Sequence, residues 1–137
     1  MKQLVFVHDQ QESPAPRAQF LEQAGYEVHL YASCNDCIEK IRNDKPDVLL
    51  LDILIEGDNG FDFCRSVRRI YSASELPIIL MSKIYRTRAF REEAKMAGAQ
   101  AYFLRPVKLE DLVREVEEHC SNDLPSLPRI VKDEKAA

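Results

Sequence analysis

Glycine is scarce in this chain, at four residues of 137. Gly25, Gly57, Gly60 and Gly98 fall into neither a G-x-G-x-x-G nor a Walker spacing, which excludes the phosphate-cradling loops of nucleotide-binding α/β proteins. No apolar run approaches the roughly 18 residues that span a bilayer. The apolar start, Leu4 to Val7, is too short for a secretory signal and reads as a strand. Basic blocks are missing too: the longest is Arg68-Arg69, and the net charge is −4. Such a balance favours solubility and argues against direct nucleic-acid or membrane binding by bulk charge. There is no internal repeat. Cys34, Cys37, Cys64 and Cys120 accompany a full-sized core without a signal segment, so reduced thiols and a cytoplasmic location are expected.

What is present suits one domain with one sizeable core, at 45% hydrophobic and 31% charged residues. The organising stretch is Val48-Leu49-Leu50-Leu51-Asp52, bounded by Pro46 and Gly57. A short continuous Val/Leu run of this kind is a central parallel strand, buried on both faces. Its terminal acid lies where open α/β sheets place their ligands, beyond the strand ends.

Around that strand the chain alternates. Leu4–Val7 is the first strand and ends at His8-Asp9. Ser13 caps a first helix with Pro14 at its first position, Phe20, Leu21 and Ala24 inward, and Gly25 as its stop. Tyr26–Tyr31 alternates polar and apolar as an outer strand does. Ser33 or Asn35 caps a second helix to Asn43, with Cys37, Ile38 and Ile41 on one stripe. Asn59-Gly60 turns into a third helix carrying Phe61, Cys64, Val67 and Arg68 at helical spacing. A fourth strand, Ile78–Met81, ends on Ser82. A helix from Thr87 to Ala97 stops at Gly98, and the fifth strand, Ala101–Leu104, ends at Arg105-Pro106. Leu109, Leu112, Val113 and Val116 share one face of a last helix reaching Cys120. After Asn122, with Pro125 and Pro128, no apolar period remains, so 1–121 is the domain and 122–137 a tail or linker start. Alternating strands and helices predict an α/β, doubly wound parallel sheet of flavodoxin-like (βα)5 type, strand order 2-1-3-4-5.

The strand ends then carry the chemistry. His8, Asp9, Asp52, Ser82 and Arg105 all close strands of one parallel sheet, so they share one edge. Two carboxylates, a hydroxyl and a cation suit a divalent ion and a phosphoryl group. Cys34-Asn35-Asp36-Cys37 sits where a redox pair could, but lacks the flanking aromatic and later proline; Cys37 is expected in the core and Cys34 at the surface. A zinc site from Cys34, Cys37, His119 and Cys120 would draw its pairs from opposite ends of the chain.

Over residues 3 to about 120 the chain resembles the receiver domain of two-component response regulators. The likeness rests on Val7-His8-Asp9, on Leu50-Leu51-Asp52 followed by Asn59-Gly60, and on Leu80-Met81-Ser82. Gly98-Ala99-Gln100-Ala101-Tyr102 and Arg105-Pro106 complete it. The resemblance implies that Asp52 is the phosphoacceptor, phosphorylated by a bacterial sensor histidine kinase. It implies Mg2+ held by Asp9, Asp52 and the main-chain carbonyl of Leu54. Ser82 and Tyr102 would be the switch pair, and Pro106 would follow a cis peptide. A downstream partner or output domain would read the switch, with a homodimer through the fourth helix, fifth strand and fifth helix.

Two positions depart from that pattern. His8 stands where the family has a first acid, either holding a metal-bound water or facing solvent. Arg105 stands where the family has lysine, and could pair with Asp52 at rest; at a phosphate site that exchange is not neutral. The chain is therefore expected to be a working phosphoacceptor with slow self-dephosphorylation, because Leu54 and Ile84 flank the water path with apolar groups. The alternative is a pseudo-receiver, a phosphorylation-independent interaction module using Arg86, Arg88, Arg91, Tyr102 and Lys108.

Overall fold

The computed structural model describes residues 1–55, 58–82 and 87–120. Five parallel strands form the sheet: β1 (Lys2–Val7), β2 (Tyr26–Tyr31), β3 (Val48–Asp52), β6 (Ile78–Ser82) and β7 (Ala101–Leu104). Their order, β2-β1-β3-β6-β7, is the 2-1-3-4-5 winding anticipated from the sequence. Two further strands, β4 (Leu54–Ile55) and β5 (Asp58–Asn59), pair antiparallel. At two residues each they are too short to carry a period, so the sequence pattern does not announce them. The helices are α1 (Ala15–Gln23), α2 (Cys34–Asn43), α3 (Gly60–Arg68), α4 (Arg88–Ala97) and α5 (Leu109–Cys120).

Side-chain alternation along each strand divides the core in two. Val5, Val7, Leu49, Leu51, Ile78 and Leu80 face α2, α3 and α4, packing with Cys37, Ile41, Phe61, Cys64, Val67 and Ala94. Leu4, Phe6, Val48, Leu50, Ile79 and Met81 face α1 and α5, packing with Leu21, Leu112, Val113 and Val116. Every residue of β3 is buried, as expected of a central strand covered on both sides. The alternation also decides where Asp52 points: it shares its face with Val48 and Leu50, toward α1.

The helix starts differ in detail from the sequence reading. Pro14, not Ser13, is the N-cap of α1, and the Ser13 Oγ accepts a bond from the Ala15 amide at 3.3 Å. Ala24 is exposed rather than inward, because it has become the C-cap. Ser33, rather than Asn35, caps α2, accepting from the Asp36 amide. Asn59 Oδ1 caps α3 by accepting from the amides of Phe61 and Asp62. Gly60 follows because nothing larger fits: a Cβ there would lie 2.6 Å from Ile53 Cα. Gly98 closes α4 at φ 99°, the left-handed cap that favours glycine.

Arg68 belongs to the α3 stripe yet packs through hydrogen bonds instead of apolar contact. Its guanidinium donates to the carbonyls of Leu76 and Gly98 and to Gln100 Oε1, tying α3 to the loops below β6 and β7. The tail after Cys120 and its place in the domain lie outside the described residues.

Two substitutions test this packing. Leu50→Ala is expected to lower unfolding stability by about 3 kcal/mol, read from urea denaturation. Gly60→Ala should destabilise by at least about 1 kcal/mol, since its new methyl group meets backbone that cannot move aside. Wild-type stability in either variant would contradict the packing described.

Candidate functional site

The site lies at the carboxyl ends of β1, β3, β6 and β7. Parallel register sets it: Val7 is level with Leu51, Asp52 with Met81, and Ser82 with Leu104. Asp52, Ser82 and Arg105 are all at least 94% buried, and Asp9 is buried beside them. The Arg105 amide donates to the Ser82 carbonyl at 2.8 Å, and the Arg105–Pro106 peptide is cis.

Asp52 is the hub. Its Oδ2 accepts the Asp9 main-chain amide at 2.8 Å. Both its oxygens meet one guanidinium, that of Arg17: Nη1 to Oδ1 at 3.0 Å and Nη2 to Oδ2 at 3.4 Å. Arg17 is only 7% exposed. Its guanidinium also stands 4.6 Å over the Phe6 ring and donates to Met81 Sδ at 3.5 Å. A forked, charge-assisted pair in such surroundings is the strong form of this contact.

Sequence reasoning placed no role on Arg17. The signal was present, since the residue lies four before buried Leu21 and one before buried Ala18, on the inward stripe of α1. A charge on that stripe needs a buried counter-charge, but only the fold reveals which one.

Arg105 is a second, looser ion-pair partner of Asp52. Its Nε stays 3.9 Å from Asp52 Oδ1, while Nη1 approaches Glu12 Oε1 at 3.2 Å. Neither Nε nor Nη1 makes an aligned hydrogen bond, so two buried donors remain unsatisfied. They border a cavity of about 240 Å³ lined by Glu12, Ser13, Pro16, Arg17, Pro106 and Val107.

His8 does not face solvent outright. It is half-buried, its ring edge-on to Phe6 with centroids 5.8 Å apart and Nδ1 3.3 Å from the Asp9 carbonyl oxygen. Tyr102 is 1% exposed and packs inside the α2, α3 and α4 core, so it does not belong to a docking surface. Arg88 and Lys108 are exposed; Arg86 and Ile84 lie outside the described residues, as does the side chain of Leu54.

Asp9 and Asp52 are oxygen donors of the right kind for a divalent cation. As arranged, however, they do not fit one. Both Asp52 oxygens are held by Arg17, and Asp9 Oδ1 accepts the Gln11 amide at 2.9 Å. Among the described residues no group of three His, Cys, Asp or Glu side chains gathers as a metal site.

The cysteines carry no chemistry of their own. Cys34 is buried, not superficial as expected, because the first turn of α2 packs into the core; its carbonyl accepts from the Cys37 thiol. Cys34 and Cys37 lie on one face of the sheet and Cys120 on the other, which rules out the zinc grouping. Burial pushes the Cys64 and Cys120 thiols up to about 11, so both stay protonated near neutrality.

A doubly wound sheet with paired acids at the ends of β1 and β3 and a basic residue after β7 is that of a flavodoxin-like signalling domain. The chain belongs to the response regulator receiver domain family, whose model matches residues 4–117. Solved relatives agree. A CheY-like receiver domain protein from Methanospirillum hungatei JF-1 is 25% identical with a TM-score of 0.79, over 88% of this chain and 94% of that one. The BeF3-activated receiver domain of RstA from Klebsiella pneumoniae is 26% identical with a TM-score of 0.78, over 88% and 99%. A two-component response regulator from Clostridium difficile, 23% identical, shares the fold with a TM-score of 0.80 over 89% and 98%. Receiver domains act in general as signalling phosphoacceptors, bind Mg2+ at an acidic pocket and work with sensor kinases and output domains. No described helix of this chain is long and apolar enough to cross a membrane.

The hub makes one stability prediction. Asp52→Ala leaves the Arg17 charge buried without its partner and is expected to cost about 3 kcal/mol. Pairing it with Arg17→Met should recover part of that loss. Urea unfolding of the two single variants and the double variant gives the coupling directly, and additive effects would dismiss the pair as a stabilising contact.

Proposed function

We propose that this chain is a phosphoacceptor receiver in which Asp52 takes a phosphoryl group from the phosphohistidine of a sensor kinase. The observation that carries this reading is a buried carboxylate at the end of the central strand, faced by two guanidiniums that themselves line a cavity. An Asp52 oxygen forms the new bond to phosphorus as the phosphorus–nitrogen bond of the donor breaks and the imidazole leaves. The acyl phosphate adds negative charge and acceptor oxygens. Arg105, with two buried donors unsatisfied, is placed to bond those oxygens, and Ser82 is the hydroxyl proposed to contact them. Tyr102 is the proposed aromatic partner of Ser82, carrying the change to the face of α4, β7 and α5, where a downstream partner or a second copy would dock.

A divalent cation on Asp9, Asp52 and the Leu54 carbonyl would first have to take Asp52 from Arg17. That same lock favours the second reading, a pseudo-receiver whose fold is kept for binding without phosphorylation.

Intact mass after incubation with acetyl phosphate and Mg2+ separates the two. The first reading expects one added phosphoryl group on the native chain and none on Asp52→Ala. No addition to folded protein would leave the binding module. Once formed, the phosphoryl group is expected to persist for minutes or longer, because Leu54 and Ile84 are apolar at positions that flank the water path. Decay within seconds, followed by mass or by phosphate release, would contradict that shielding.

A further inference from the structure

We infer that Arg17 is a tethered counter-cation occupying the place of the divalent ion, so that Arg17 and Mg2+ exclude one another at Asp52. The inference deepens the proposed receiver function and rests on its acid pocket being the one at Asp9 and Asp52.

Three observations carry it. The guanidinium forks onto both oxygens of Asp52. Arg17 is held there from beneath by the Phe6 ring and from the side by Met81 Sδ, so the fork belongs to the packed core rather than to a wandering surface chain. Asp9 meets Asp52 through its main-chain amide at 2.8 Å, a donor contact that takes up part of the accepting capacity of Oδ2.

Charge points the same way. Asp9, Glu12 and Asp52 face Arg17 and Arg105, which leaves one net negative charge around the pocket. A divalent ion set beside Arg17 would turn that into a net positive charge and place two cations against one carboxylate. With His8 in place of an acid, position 8 contributes no carboxylate to offset it. Mg2+ also sheds its water reluctantly and asks for near-octahedral oxygen donors, which a guanidinium at 3 Å displaces. Release of Arg17 has a direction available, since the cavity of about 240 Å³ toward Glu12 and Pro106 is lined by Arg17 itself. Mg2+ binding and withdrawal of α1's arginine would thus be one event, and the resting pocket would be closed by the chain's own side chain.

The test is Mg2+ titration of the native chain, of Arg17→Met, which keeps an apolar stem against Phe6 and Met81, and of Arg17→Lys. Isothermal calorimetry reads the affinity, and the shift of the thermal midpoint with Mg2+ reads it independently even where a variant is less stable. Arg17→Met should bind Mg2+ at least tenfold more tightly than the native chain and gain more in its midpoint. Arg17→Lys, which keeps a charge, should stay near the native value. Equal affinities of native and Arg17→Met overturn the proposal, and so does Arg17→Met binding no Mg2+ while folded. No phosphodonor is involved, so a chain that never accepts a phosphoryl group could still pass this test.

Discussion

A carboxylate cannot be buried at the end of a central strand without a counter-charge, and in this chain Arg17 supplies it. The pair links α1 to β3 across the same face that Phe6 and Met81 line. Both charges are almost wholly withdrawn from water, so each depends on the other far more than a surface pair would.

The sheet makes the requirement possible. Strand alternation sends Leu49 and Leu51 toward α2, α3 and α4, and Val48, Leu50 and Asp52 toward α1 and α5. A shift of one residue in β3 would turn Asp52 into the opposite layer, among Leu80 and Tyr102 and away from Arg17. Register at β3 and β6 is therefore also the register of the site. Below the sheet, Arg68 does comparable work with neutral partners, bonding carbonyls and the Gln100 amide oxygen. Burial there lowers its affinity for a proton.

Two exchanges relative to the family pattern, His8 and Arg105, read differently once Arg17 is included. Loss of an acid at position 8 removes the charge that would have balanced a metal beside an arginine. A forked Arg105 reaches Glu12 and stands off from Asp52, leaving donors toward the cavity. The three residues form one altered electrostatic arrangement, in which two guanidiniums face the Asp52 carboxylate.

Much of this was legible in the chain itself. Continuous apolar runs at 48–51 and 78–81, alternation at 26–31, and helix stops at Gly25 and Gly98 determine the α/β class and the order of the elements, because burial and backbone freedom act locally. The acids and Ser82 at strand ends were legible for the same reason: parallel strands share one edge. What only the tertiary structure decided were the pairings between distant elements. Arg17 on Asp52, Arg105 toward Glu12, Cys34 in the core and Tyr102 buried all depend on which face a helix presents across the sheet. No local period encodes that choice; it is made when charges thirty-five residues apart in sequence are left without water and find each other.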